Sequence, residues 1–262
     1  KWYGFIFQDR GGVGRVPTLE PCTWQDGWPI LGDEKGNVPL KMSKPVLGYN
    51  DKTIVRSDDF AKDKLDLQWQ WNHNPVDEAW SLTERKGYLR LKTSRIAQNL
   101  FVAPNTLTTR MEGPTCEAVV KMDVSQMKDG DVTGFAAFQG DAALLSVARE
   151  GKKWFVLGSK DNSVLSDEQK MVTDVKHEEV YRQALKSKVV YLKISCDFRD
   201  HKDLATLSYS LDGKNWTDVV SDFKMNFDYR RLFMGTRFAI YNYATKSAGG
   251  YVDIDSFGYS KK

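Results

Sequence analysis

From residue 57 onward, apolar and polar positions alternate in short runs broken by Gly, Pro, Asn and Asp at roughly 8–12-residue spacing, the rhythm of short strands joined by turns. The clearest runs lie at 67–71, 88–92, 116–122, 134–138, 143–148, 154–157, 189–196, 204–211, 233–241 and 250–259. Val190-Tyr191-Leu192-Lys193-Ile194-Ser195-Cys196 alternates residue by residue, 204–211 repeats the pattern, and Asp212-Gly213 offers a tight turn before Trp216. That stretch predicts a meander. Residues 174–188 carry only a partial helical period, of marginal length and with strands on either side. The pattern therefore predicts an all-β domain of about 200 residues, a β-sandwich of two antiparallel sheets packed face to face.

Ahead of this domain the text is different. Residues 2–7, Trp-Tyr-Gly-Phe-Ile-Phe, read as a strand, and a Gly-rich turn follows at Gly11-Gly12-Val13-Gly14. Between 32 and 57 Gly, Lys, Asp, Asn and Pro dominate, with Pro39 and Pro45 against regular pairing, as in a linker or wrapping segment. A strand beginning at the first residues, with no Met before it, suggests a cut inside a larger product. The lack of a leader is then silent on secretion, and the compartment stays open, with secretion or the periplasm preferred.

Composition narrows the function classes. The 262 residues carry 38 Lys and Arg against 35 Asp and Glu, a net charge of +3, which excludes bulk electrostatic capture of nucleic acid. No apolar run approaches the roughly 20 residues that span a bilayer, so no membrane partner is expected. Aromatic residues reach 12%, with eight Trp and eleven Tyr, which suits both β-structure and surfaces that stack on sugars. Cys22, Cys116 and Cys196 form no CxxC pattern and read as small buried hydrophobes.

Several motifs are recognisable. Phe7-Gln8-Asp9-Arg10, Gly14-Arg15-Val16-Pro17-Thr18-Leu19-Glu20-Pro21 and Trp24-Gln25-Asp26-Gly27-Trp28-Pro29 resemble the end of the catalytic domain of glycoside hydrolase family 43, the last blade of a five-bladed propeller. Trp69-Gln70-Trp71-Asn72-His73-Asn74-Pro75 and Trp80-Ser81-Leu82-Thr83-Glu84-Arg85 resemble the start of the concanavalin A-like sandwich that follows the propeller in β-xylosidase and arabinofuranosidase members. Residues 106–111 and 250–259 continue the likeness. It implies three parts: a last-blade remnant at 1–40, a linker at 41–56 and the sandwich at 57–262. Hydrolysis in the family needs an Asp base, an orienting Asp and a Glu acid from earlier blades, because inversion takes two carboxyl groups flanking the scissile bond. Those blades have no counterpart here, so no catalytic residue is expected in this chain and no hydrolysis by it alone.

The resemblance also implies binding residues. Arg15 resembles an arginine aimed into the sugar subsite, where its planar fork would hold hydroxyls; the alternative is a solvated turn residue or a pair with Asp9 or Glu20. Phe233 and Phe238 lie where a sandwich loop would present an aromatic side chain to the propeller mouth, with core packing as the alternative for both. From spacing alone, Trp69 and Trp71 share one strand face and, with Trp80, are either a sugar platform or buried packing, the latter favoured. His73 then opens a polar loop within reach of the propeller, a ligand or water. Asp59, with Asp58 beside it, and Asp253 and Asp255 come from the two ends of the domain and are candidate ligands for a structural Ca²⁺.

Other chemistries find no support. His73, His177 and His201 are far apart, and neither HExxH, GxSxG nor a phosphate-loop spacing occurs. Asn215-Trp216-Thr217 is a formal glycosylation sequon better explained by a hairpin, and the basic runs at 186–188 and 261–262 read as solvated faces. No cofactor is required. The expected role is an accessory domain of a xylan- or arabinan-degrading exo-glycosidase, with the upstream propeller and xylan, arabinoxylan or arabinan as partners. The alternative is an independent carbohydrate-binding module for plant cell-wall polysaccharide, and a third reading is a structural fragment without a ligand.

Overall fold

The structure, a computed structural model, describes residues 1–39, 41–49 and 53–261. Leu40 at the end of the expected blade remnant, Asn50, Asp51 and Lys52 of the expected linker, and Lys262 of the terminal Lys pair lie outside the described residues. Its strands, in chain order, are β1 (Trp2–Asp9), β2 (Arg15–Gln25), β3 (Trp28–Leu31), β4 (Gln70–Trp71), β5 (Trp80–Ser81), β6 (Leu89–Lys92), β7 (Leu107–Arg110), β8 (Thr115–Asp123) and β9 (Asp131–Phe138). The series continues with β10 (Ala142–Glu150), β11 (Lys153–Leu165), β12 (Val172–Leu185), β13 (Val189–Asp197), β14 (Leu204–Ser210), β15 (Thr217–Lys224), β16 (Arg237–Ala244) and β17 (Tyr251–Lys261). The protein is all-β: a three-stranded sheet β1-β2-β3 and two seven-stranded antiparallel sheets, β12-β11-β10-β9-β16-β7-β4 and β15-β14-β13-β8-β17-β6-β5.

The two large sheets form the sandwich, and strict alternation explains why. In β8 Cys116, Ala118, Val120 and Met122 point inward, and in β13 Val190, Leu192, Ile194 and Cys196 do the same directly beside them. Phe135, Ala137, Leu145, Val147, Val156, Phe238 and Ile240 of the facing sheet close the layer, and all of them are fully buried. In β17 the register shifts between Ile254 and Ser256, so Val252 and Ile254 are followed into the core by Phe257 rather than by residue 256. This bulge resets the alternation and leaves Asp253 and Asp255 on the outer face.

Three segments depart from the periodicity. Residues 174–185 of the stretch with a partial helical period belong to β12, which pairs along most of the length of β11, so the ladder overrides that period, and 186–188 form the connection to β13. Of the run 67–71 only Gln70–Trp71 is strand, because Trp69 N donates to the Asp66 carbonyl in a turn. The run 233–241 becomes strand only at Arg237; residues 226–236 form a loop over the outer face of the first large sheet. The expected meander is β13-β14-β15, and in its turn Asp212 Oδ1 accepts from the amides of Lys214 and Asn215 while Asn215 Nδ2 donates to Asp212 Oδ2. Cys116 and Cys196 are buried, directly opposed across β8 and β13 and free, and Cys22 on the small sheet is half-buried and free.

The small sheet docks on the sandwich through its first hairpin turn. Gly12 O accepts from Thr236 N at 2.8 Å, and Gly14, at φ +87°, lies so close to Gly235 that a Cβ added to Gly14 would sit 2.8 Å from the Gly235 backbone. The backbones touch because neither residue carries a side chain. Farther along, residues 32–56 hold no strand among those described, yet Val55 is buried in the sandwich core and Arg56 N donates to Gln68 Oε1.

Candidate ligand cleft

Where the hairpin turn meets the sandwich, a cleft of about 750 Å³ opens. The small sheet contributes Arg10, Val13 and Arg15, the loop at 226–236 contributes Phe227, Phe233 and Thr236, and β7 and β16 contribute Arg110 and Arg237. A neighbouring hollow of about 540 Å³ shares Ile54 and Arg110 with it and is lined further by Gln68 and Gln70.

Arg15 starts β2 and stands opposite Asp9, yet pairs with neither Asp9 nor Glu20. Its Cζ instead lies 4.9 Å from the ring centroid of Phe7 on β1, 5.0 Å from Phe227 and 4.2 Å from Phe233. Three aromatic rings from two units thus share one guanidinium, each such contact worth about 0.5–1 kcal/mol when exposed. The Arg15 Nε is enclosed with no hydrogen-bond partner. Phe233 remains 71% exposed, its edge in contact with Phe227.

The loop that carries both rings is held from below. Gln139, buried in the turn after β9, donates through Nε2 to the carbonyls of Asp228 at 3.1 Å and Leu232 at 2.8 Å. Arg230 and Arg231 both pair with Asp228, and the hydrogen bonds from Arg230 hold its carboxyl down at about 2. Arg231 Nε also donates to Ser163 Oγ at 2.6 Å on β11. No motif or spacing in the sequence marks Gln139, Phe227, Arg110 or Arg237 as site residues. Cross-strand neighbours and loop anchors carry no local signal, so only the fold brings them to the cleft.

The other residues singled out from sequence take separate places. Trp69 is buried against Phe60 and Phe257, and its Nε1 donates to Asp58 Oδ2 at 2.8 Å, so its rings have no free face for a sugar. The Trp71 and Trp80 rings meet at 5.3 Å, tilted by 55°, and pack half-buried on the core; Trp69 and Trp71 do not form the expected shared strand face, because only Trp71 lies in β4. Phe238 is fully buried among Phe135, Phe257 and Tyr259, the core packing given as its alternative, and is not part of the cleft lining. His73 is exposed and its Nε2 lies 2.9 Å from the Phe101 carbonyl, away from the cleft lining.

The carboxylates proposed for Ca²⁺ are not assembled. Both oxygens of Asp253 are held by Arg90, with Arg85 Nη1 also at 3.0 Å, while Asp255 pairs with Lys121 at 2.6 Å. Asp59 Oδ1 accepts from Ala61 N in a turn. Among the described residues no group of three or more His, Cys, Asp or Glu side chains is placed to hold a metal ion. Cations already neutralise two of the three carboxylates, which removes the charge a Ca²⁺ would need.

Comparison with known proteins follows the same division. Residues 57–260 match the β-xylosidase C-terminal concanavalin A-like domain. The chain belongs to this family of glycoside hydrolase family 43 sandwich domains. A β-xylosidase of Formosa agariphila is 33% identical over 94% of this chain and 43% of its own length. A putative β-xylosidase of Xylanibacter ruminicola is 28% identical over 87% of this chain and 40% of its own. Among solved structures, a bifunctional GH43-CE protein from Bacteroides eggerthii superposes on the whole chain with a TM-score of 0.85 at 40% identity, over 33% of that protein. This GH43 sandwich and its small sheet span less than half the length of each of these three proteins, and the likeness to the first and third extends through residues 1–56 as well as the matched domain.

Proposed function

We propose that the chain works as the C-terminal accessory part of an exo-glycosidase acting on xylan or arabinan, stabilising a catalytic propeller and shaping one wall of its active site. The observation that carries this reading is the Arg15 cage. A guanidinium on the small sheet is fixed by Phe7 of its own sheet and by Phe227 and Phe233 of the sandwich loop, so neither unit could aim it alone. In this reading the three hydrolytic carboxylates come from the propeller, while Arg15 holds a sugar hydroxyl and Phe233 offers an exposed ring to the pyranose face. The relatives named as β-xylosidases support the substrate class. A free-standing binding module finds less support, since Trp69 is buried and Trp71 and Trp80 are half-buried and tilted against each other on the core.

The test joins this chain to the propeller of the Formosa agariphila β-xylosidase and follows hydrolysis of aryl β-xyloside and aryl α-arabinofuranoside. The chain alone is expected to hydrolyse neither. In the chimera, Phe233→Ala is expected to lower kcat/KM about tenfold, the loss of roughly 1.4 kcal/mol of transition-state binding, with an unchanged melting temperature. Equal kcat/KM for the chimera and its Phe233→Ala variant would overturn the wall assignment.

A further inference from the structure

The charges in the cleft do not balance. The chain has thirteen arginines, and among the described residues seven of them pair with a carboxylate: Arg56, Arg85, Arg90, Arg182, Arg199, Arg230 and Arg231. Among the described residues, four of the remaining six, namely Arg10, Arg15, Arg110 and Arg237, line this one cleft. Its acidic lining is Glu112 and Asp200, and Glu112 is already engaged by the Tyr259 hydroxyl at 2.8 Å and by Lys261 at 3.7 Å. Asp200 alone is left to face four guanidinium groups.

Two of the four are placed where repulsion is hardest to avoid. Arg237 and Arg110 stand directly opposite each other across β16 and β7, a cross-strand like-charge pair that is destabilising by itself. Arg237 is satisfied only by neutral partners, Gln70 Oε1 and Thr108 Oγ1, and burial together with Arg110 pushes its pKa down. A bound anion between the two guanidinium groups would offset this repulsion, because an opposite charge within a few ångströms favours the charged form of both. A second observation points into the same space: Thr236, only 2% exposed, lines the cleft with its Oγ1 enclosed and unpartnered. An enclosed hydroxyl without a partner is itself a cost of about 1–3 kcal/mol that a ligand oxygen would relieve.

We propose that this cleft binds an acidic sugar, a pentose oligosaccharide bearing a uronic-acid carboxylate, with Arg110 and Arg237 holding the carboxylate and Phe233 and Phe227 facing the sugar rings. The inference rests on the accessory-domain reading and names the substrate class of the same wall. A guanidinium fork meets a carboxylate with two parallel hydrogen bonds, and two forks flanking one carboxylate turn the repulsion between them into shared attraction. Aromatic rings beside the cations favour a carbohydrate over an inorganic anion, because a sugar brings both an apolar C–H face and a charge. A volume of about 750 Å³ lies within the usual range of about 300–1,000 Å³ for small-ligand sites.

The experiment is calorimetric titration of this chain with two probes: a xylo-oligosaccharide carrying one glucuronic acid, and the same backbone without it. The acidic probe is expected to bind at least tenfold more tightly at low ionic strength, with the preference shrinking as salt is raised. Arg110→Gln, at a residue with no hydrogen bond or ion pair to any described side chain, is expected to abolish the preference without lowering the melting temperature, since it also relieves the repulsion from Arg237. Equal affinity for the two probes, or binding of neither, would overturn the proposal, and so would an acidic preference that survives Arg110→Gln. An acidic preference without any effect of Phe233→Ala in the chimera would sink the active-site wall alone, and the reverse outcome would sink the acidic ligand alone.

Discussion

Asp253 is 3% exposed, with Arg90 bonded to both of its oxygens and Arg85 bridging it to Asp123. Arg90 also lies over the Tyr251 ring at 4.1 Å, so its charge is screened from water on two sides. Replacing Asp253 by Asn keeps the shape and strands that guanidinium without its counter-charge; the expected cost is about 3 kcal/mol, at the low end for a broken buried pair because Arg85 stays partly solvated. Urea unfolding checks this as a lower midpoint at unchanged slope. The same geometry predicts that neither added calcium nor a chelator shifts the melting temperature. His177 supplies a second residue-scale prediction. Its Nδ1 lies 2.6 Å from Asp161 Oδ1, and that hydrogen bond, with Glu179 nearby, raises its pKa above the ordinary value of about 6.5. A raised folded-state pKa stabilises fully below the unfolded value and loses that contribution as pH climbs through the folded one. The stability difference between this chain and His177→Gln is therefore expected to be larger at pH 5.5 than at pH 8.5, and a difference that grows with pH would refute the assignment.

Elements were legible where a strand carries its own alternation. In β8 and β13 every second residue is apolar and buried, so the text alone separates the two faces. Legibility failed where a distant partner decides. β12 is a strand because β11 offers a full ladder, and 67–69 is a turn because Trp69 reaches across to Asp58 and Phe257. The candidate cleft was half readable. Arg15 and Phe233 come from recognisable motifs, whereas Arg110 and Arg237 become a pair only when β7 meets β16, and Gln139 becomes a loop anchor only when residues 228–234 fold over it. The joint between the units depends on Gly235, where an added Cβ would lie 2.1 Å from the Val13 carbonyl oxygen. Gly235→Ala is thus expected to push the hairpin turn off the loop, break the Thr236 N to Gly12 O bond and cost about 1–3 kcal/mol of overpacking strain. Hydrogen exchange at the Thr236 amide reads that directly: protection there should fall while amides of β8 and β13 keep theirs.

At the scale of the whole molecule, the small sheet and the sandwich follow different rules. Each large sheet hides one face against the other, but the three-stranded sheet is apolar on both faces. Phe5, at 75% exposure, lies with Phe7 and Trp28 on the Arg15 side, and Trp2, Ile6 and Trp24 lie on the opposite side. A sheet with two apolar faces is built to sit between layers, and contiguous apolar area of this kind marks an interaction surface. The proposed propeller would cover both faces, as neighbouring blades cover each other. This chain by itself is accordingly expected to bind a hydrophobic dye and to show Trp emission open to acrylamide quenching, both arising from Trp2, Trp24 and Trp28 rather than from the enclosed Trp69. Joining the propeller should suppress both signals, whereas Phe5→Lys with Trp28→Lys should suppress only part of the dye binding, leaving the melting temperature of the sandwich unchanged. If the joined protein binds dye as strongly as the chain alone, the small sheet is not an inter-blade layer, and the Arg15 cage would have to be explained by the sandwich alone.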